Sequence, residues 1–216
     1  MAPDPDAGPV IDPPLARAAS SGAPGLRVPH PAGPEFRGDC AACADLCCLA
    51  LALDRGDAFA IDKPAGQPCP NLAPGGGCTI HATRARAGFP GCVAYDCAGA
   101  GQKVTAEVFG GADWRETPAL TGPMMRAFSA MRRVQELRQV LAAALQLPLG
   151  VADRRSARDH FAALTPGPGG WTAEALEAAV TGPRPVQIDA FLRGLSGPAR
   201  AAGLDRAGVP GDDDRG

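Results

Sequence analysis

Eight cysteines, the full complement of a 216-residue chain, fall between Cys40 and Cys97 in the order Cys40-x2-Cys43-x3-Cys47-Cys48, then Cys69, Cys78, Cys92 and Cys97. No other feature narrows the possible folds as much, because thiols crowded into one stretch are paired as disulfides, packed as small apolar groups, or bound to metal. An even count suits disulfides. The N-terminal MAPDPDAGPVIDPPLARAAS, however, has early acids and prolines where a secretory signal carries basic residues and then an apolar stretch. The expected compartment is therefore the cytosol, where thiols stay reduced. Inert packing explains poorly why no cysteine lies elsewhere in the chain. Metal ligation is the reading preferred for Cys40, Cys43, Cys47, Cys48, Cys69, Cys78, Cys92 and Cys97.

If residues 40–48 are helical, steps of about 100° per residue bring Cys40, Cys43 and Cys47 onto one face with Cys48 at its edge. The other four arrive on Pro- and Gly-bearing loops: Cys69-Pro70, Gly77-Cys78 and Gly91-Cys92 among them. There a backbone can bend around an ion without breaking a ladder. Zinc wants four thiolates or imidazoles, so eight sulfurs can furnish two sites; an iron–sulfur cluster also takes about four thiolates. The ferredoxin run C-x2-C-x2-C-x3-C-P is absent, and Ala50 stands where a C-x3-C-x2-C run needs its third cysteine. Zinc is the preferred metal and an iron–sulfur cluster the alternative. His81, at x2 from Cys78, is a further candidate ligand, against the plainer reading of a loop histidine. Gly99-Ala100-Gly101-Gln102-Lys103 completes neither phosphate-loop pattern and reads as a turn.

The surroundings suggest a small domain that needs a staple. Residues 1–37 are rich in Pro, Ala, Gly and Asp with no sustained period, and read as a disordered arm. Residues 38–118 hold the cysteines, turn clusters such as Ala73-Pro74-Gly75-Gly76-Gly77, and short strand-like pieces at 58–61 and 104–109. Residues 119–203 read as helical. The clearest helix runs from Pro123 to Leu147, with Met124, Phe128, Met131, Val134, Leu137, Leu141 and Leu145 in one stripe and Arg126, Arg132, Arg133 and Arg138 opposite. Further helices are expected over 153–164, over 172–180 with Thr172 as N-cap, and over 186–195. Residues 204–216 read as a tail. The fold class is mostly α with short irregular strands: a metal-stapled cysteine domain plus a helical C-terminal part.

A formal net charge of −2 and a pI of about 5.9 offer no basic field for nucleic acid. The longest apolar run, Leu46 to Leu53, falls short of the roughly 18 residues of a membrane span. Only two lysines, Lys63 and Lys103, stand against nineteen arginines, and both lie in the cysteine region. An ammonium there can offset thiolate charge at close range.

At GDCAACADLCC, CPNL, CTIH and GFPGCVAYDC the chain resembles the eight-cysteine family of zinc- or iron-chelating cluster proteins (YkgJ-like). FAIDKPAGQPCPNL and VAYDCAGAGQKV look like an actinobacterial branch in which this region precedes pentapeptide repeats. The resemblance spans about residues 39–145 and implies that the eight cysteines are metal ligands. Only AGLDR and AGVPG faintly echo the repeats, too little for a stacked layer, so no solenoid function carries over. Some relatives with a similar cluster are flagellin lysine methylases, but no methyl-donor site is recognisable here. The expected function is a non-catalytic metalloprotein whose helical part offers a surface to a protein partner. A redox or methyl-transferring enzyme is the alternative.

Overall fold

The computed structural model describes residues 29–195. Residues 1–28 of the arm expected over 1–37, the end of the helical region and the tail lie outside the described residues. The elements run α1 Leu46–Ala50, α2 Pro90–Ala94, α3 Ala100–Lys103 continuing as a π-helical turn Val104–Val108, α4 Thr121–Ala144, α5 Val151–Ala163, α6 Ala173–Thr181 and α7 Arg184–Gly194. The protein is mostly α-helical. Among the described residues β pairing is limited to two isolated antiparallel bridges, Leu53 with Lys63 and Leu72 with Cys78.

Helix α4 organises the rest. All seven residues of its expected stripe, from Met124 to Leu145, are buried, as an apolar period of three and four dictates for a helix laid on a core. Its 24 residues span about 36 Å at ~1.5 Å per residue. That length lets it pack on α1 and α3 on the cysteine side and on α5, α6 and α7 on the other. One hydrophobic cluster accordingly runs from Phe36 and Leu46 through Val104 and Phe128 to Phe161, Leu176 and Ile188. The cluster includes residues from both sides of the boundary expected between residues 118 and 119.

Helix ends follow local chemistry. Arg154 of α5 donates to the carbonyls of Leu145 and Leu147, each at 3.0 Å, satisfying acceptors left over at the end of α4. The Thr172 side chain accepts from the Ala175 N–H at 3.1 Å and caps α6 as expected.

Four expectations need correction. Residues 104–109 are helical and not strand-like: Val104 is fully buried and its carbonyl accepts from the Phe109 N–H at 3.1 Å, the i to i+5 bond of a π turn. Packing of the preceding helix against α4 overrides the β preference of the valines. Residues 58–61 are a bend within the loop closed by the Leu53–Lys63 bridge, where no neighbouring strand offers them a ladder. Arg138 does not face solvent; it is 4% exposed, ion-paired with Glu35 and bonded to Gln135 at 2.7 Å. Finally, the supposed arm is ordered at its end, because Phe36 is buried in the core and Gln135 donates to the Glu35 carbonyl at 3.2 Å.

Candidate metal centre

The first four cysteines do not share one helix face. Cys40–Ala42 forms a single 3₁₀ turn, capped by Asp39, whose carboxylate accepts from the Ala41 N–H at 3.0 Å. Cys43 is extended, with φ −124° and ψ 140°. Asp45 then turns left-handed at φ 53° before α1 begins, a conformation that the short polar Asp tolerates better than most residues. Its buried carboxylate is held by the Gly77 N–H at 2.9 Å and by an ion pair with Arg115. Arg115 also pairs with Asp113 at 2.6 Å. The break lets Cys40 and Cys43 approach from a different direction than Cys47 and Cys48 on α1.

The remaining cysteines are tied to this frame through the backbone. The Cys69 N–H donates to the Cys48 carbonyl at 3.0 Å. Cys78 sits in the bridge with Leu72. Cys92 lies on α2, and its carbonyl accepts from Arg84 at 2.9 Å. Beside Cys97, the Asp96 carboxylate accepts from the N–H groups of Gly38 at 2.9 Å and Ala98 at 2.8 Å, closing the loop onto the first cysteine segment. All eight cysteines line one cavity of about 810 Å³, together with Lys63, His81, Arg84 and Tyr95.

Two glycines make room for sulfur. A Cβ on Gly101 would come within 2.5 Å of the Cys43 sulfur and 3.8 Å of the Cys97 sulfur. A Cβ on Gly38 would meet the Cys97 sulfur at 3.2 Å. The stretch Gly99–Lys103 is thus not the simple turn expected of it: Gly99, at φ 79°, leads into α3, which presents Gly101 to the thiols.

All eight thiols are free. The Sγ atoms of Cys47 and Cys48 are 3.9 Å apart, far beyond the ~2.05 Å of a disulfide. That spacing is near the edge of a zinc–thiolate tetrahedron, about 3.8 Å for Zn–S bonds of about 2.3 Å. Among the described residues no group of three or more His, Cys, Asp or Glu side chains is drawn tightly enough together to hold a metal ion as placed. The donors stand around the wall of a void. The donor chemistry and the two glycine cradles fit a soft metal; the convergence of the sulfurs is incomplete.

Electrostatics disfavours leaving the thiols as bare anions. Burial pushes Cys43 up to about 12 and also raises Cys40 and Cys92. Cys47 is raised first by sharing a hydrogen with Cys48 and then by burial. These sulfurs therefore keep their protons at neutral pH, and ionising them takes a compensating cation.

His81 is exposed beside Cys78, its N–H donating to the Cys78 carbonyl at 3.1 Å and its own carbonyl accepting from Arg84. Sequence reasoning overlooked three neighbours: Asp45, Arg84 and Tyr95. Tyr95 is the only tyrosine of the chain, and its hydroxyl is buried with no hydrogen-bond partner. Its position between Cys92 and Cys97 was the available signal. Nothing in TRARAG marks Arg84 in advance.

The chain is 39% identical over 127 residues to the uncharacterized protein YybG of Bacillus subtilis (strain 168), a match covering 59% of this chain and 46% of the relative. The chain thus spans less than half the length of the curated relative it matches. No family model matches the chain, and no solved structure does.

Proposed function

We propose that this protein binds metal through its eight cysteines, with zinc as the metal or an iron–sulfur cluster as the alternative, and that the bound metal serves a structural or interaction role. The observation that carries this reading is that all eight cysteines, from segments separated by up to tens of residues, line one cavity. Chance packing does not gather every thiol of a chain at one void. Glycine at positions 38 and 101, where a Cβ would crowd sulfur, further supports a site shaped around thiolates. When bound, the metal supplies cross-links between loops that carry few large buried side chains of their own, which is how structural metal sites contribute to folding. The helical part, α4 to α7, then offers the surface for a protein partner.

A second reading, that of an enzyme using the metal, is favoured by one observation: a cavity of about 810 Å³ falls in the range of small-molecule sites. Redox chemistry or methyl transfer would use that space for a substrate.

The test is the metal and sulfide content of protein purified without added metal under reducing, anaerobic conditions. The expected result is a stoichiometric metal complement lost when the cysteines are replaced by serine. Absorption near ~400 nm with acid-labile sulfide would assign the cluster in place of zinc. Protein that is folded yet takes up neither zinc nor iron would overturn the reading.

A further inference from the structure

Lys63 is 4% exposed. Its Nζ donates to three main-chain carbonyls, those of Gln67 at 2.8 Å, Pro64 at 3.2 Å and Leu49 at 3.4 Å. Among the described residues no carboxylate pairs with it. Carbonyl dipoles replace some of the lost hydration, but a buried ammonium still lacks a counter-charge, and buried charges are costly unless paired.

The counter-charge available, once metal binding ionises the thiols, is sulfur. Lys63 lines the same cavity as the cysteines. Burial pushes its pKa down, while charge on Cys69, Cys48 and Cys47 would pull it back up. The residue is also held in register: its N–H donates to the Leu53 carbonyl at 2.8 Å and its carbonyl accepts from the Leu53 N–H at 2.9 Å. Arg84 repeats the pattern on another wall, spending its donors on the carbonyls of His81 and Cys92. Lys103, by contrast, pairs with Glu107 at 3.3 Å and does not line the cavity.

We propose that Lys63 is the resident counter-cation of the thiolate site, offsetting the negative charge that remains when a divalent ion or a cluster is bound by four or more thiolates. The inference rests on the metal–thiolate reading above. Four thiolates around a divalent ion leave a net charge of about −2, which is costly where the sulfurs are partly buried. A fixed ammonium lining the same cavity as Cys47, Cys48 and Cys69 lowers that cost and therefore tightens metal binding. Lys63 acts through the sulfurs and is not itself a ligand.

The experiment measures zinc(II) affinity by competition with a chromophoric chelator, and the pH midpoint of acid-driven zinc release. It compares wild type with Lys63→Met, Lys63→Gln, Lys63→Arg and, as a control, Lys103→Met. Loss of the cation should weaken zinc binding about tenfold or more in both Lys63→Met and Lys63→Gln and move the release midpoint to higher pH. Lys63→Arg should stay within about threefold of wild type, since the charge is kept. Lys103→Met should leave both quantities unchanged. The glutamine variant separates charge from scaffolding because its amide is neutral yet offers two N–H donors to the loop carbonyls. Wild-type affinity in Lys63→Gln, even with weakened Lys63→Met, would make Lys63 a loop brace and overturn the proposal; wild-type affinity in Lys63→Met would do the same. Should the methionine variant fail to fold, glutamine against arginine decides. If wild type holds an iron–sulfur cluster, reduction potential is the readout, expected to be more negative in the two neutral variants and unchanged in Lys63→Arg; an unchanged potential in the neutral variants would equally overturn the proposal. Absence of any metal in wild type would instead refute the underlying metal reading, and that outcome is visible before a variant is made.

Discussion

The carboxylate of Asp45, two residues before Cys47, accepts the backbone N–H of Gly77, the residue before Cys78, at 2.9 Å. This bond and the Asp45–Arg115 ion pair tie the first cysteine segment to the loop that delivers the sixth cysteine. Removing the carboxylate leaves Arg115 with Asp113 alone. We expect Asp45→Ala to destabilise the fold by about 3 kcal/mol, the lower end for breaking a buried pair, because half of the pairing survives. Asp45→Asn, which tolerates the left-handed backbone and still accepts the Gly77 bond, should lose less. Thermal unfolding of the two variants, with their metal content measured in parallel, checks the order.

Gly101→Ala separates site from scaffold by its sign. A glycine inside a helix ordinarily weakens it by ~0.5–1 kcal/mol relative to alanine, so the substitution alone should stabilise α3. Here the new methyl would meet the Cys43 sulfur at 2.5 Å. The expected outcome is folded protein with metal affinity reduced by about tenfold or more, an effect worth ~1.4 kcal/mol, read by chelator competition. Unchanged affinity would show that Cys43 has freedom to move and that the glycine cradle is incidental.

Metal removal should act regionally. The loops between Cys40 and Cys97 bury few large side chains, whereas α4 is anchored by its own buried stripe. Ordering each residue costs ~1–2 kcal/mol of backbone entropy, so a segment with so little core depends on its cross-links. Amide exchange in verified metal-free, reduced protein should show protection lost over 39–118 and partly retained over 123–147. Serine at Cys43 or Cys47 should resemble chelation more closely than serine at Cys97. Full protection between Cys40 and Cys97 in the metal-free state would end the coupling argument.

Acid should weaken the packing of α5 against α7. His160 lies against Phe191, ring centres 5.4 Å apart, and its Nδ1 is buried without a partner. Burial, helped by the nearby Arg184, lowers its pKa below the ordinary 6.5. The unfolded chain therefore binds the proton first as pH falls. The stability contributed by neutral His160 is complete above about pH 6.5 and is lost as pH drops through the lower folded value. The difference in unfolding midpoint between wild type and His160→Phe, followed from pH 7.5 to 5, should change in favour of the variant on acidification. A difference that stays constant with pH would mean that the imidazole is not penalised when charged.

Some of this was readable from the chain because the physics is local. A period of three and four from Met124 to Leu145 specifies a buried helix face wherever the helix lies, and all seven residues are buried. Thr172 caps α6 because its hydroxyl reaches a donor three residues on. The eight cysteines announce themselves by number and confinement. Tertiary packing decided the rest. Residues 104–108 became a π turn because α4 covers Val104. Arg138 is buried because Glu35, over one hundred positions away, supplies its charge partner, and no pattern along α4 encodes that distant carboxylate. The first cysteines leave a common helix face because Gly77 and Arg115 hold Asp45 in a left-handed turn. Sequence spacing set which residues carry sulfur and which face of α4 is apolar, since both depend on neighbours a few positions apart. The placement of all eight cysteines and a buried lysine around one cavity depends on hydrogen bonds and ion pairs between distant segments, and only the folded chain brings those together.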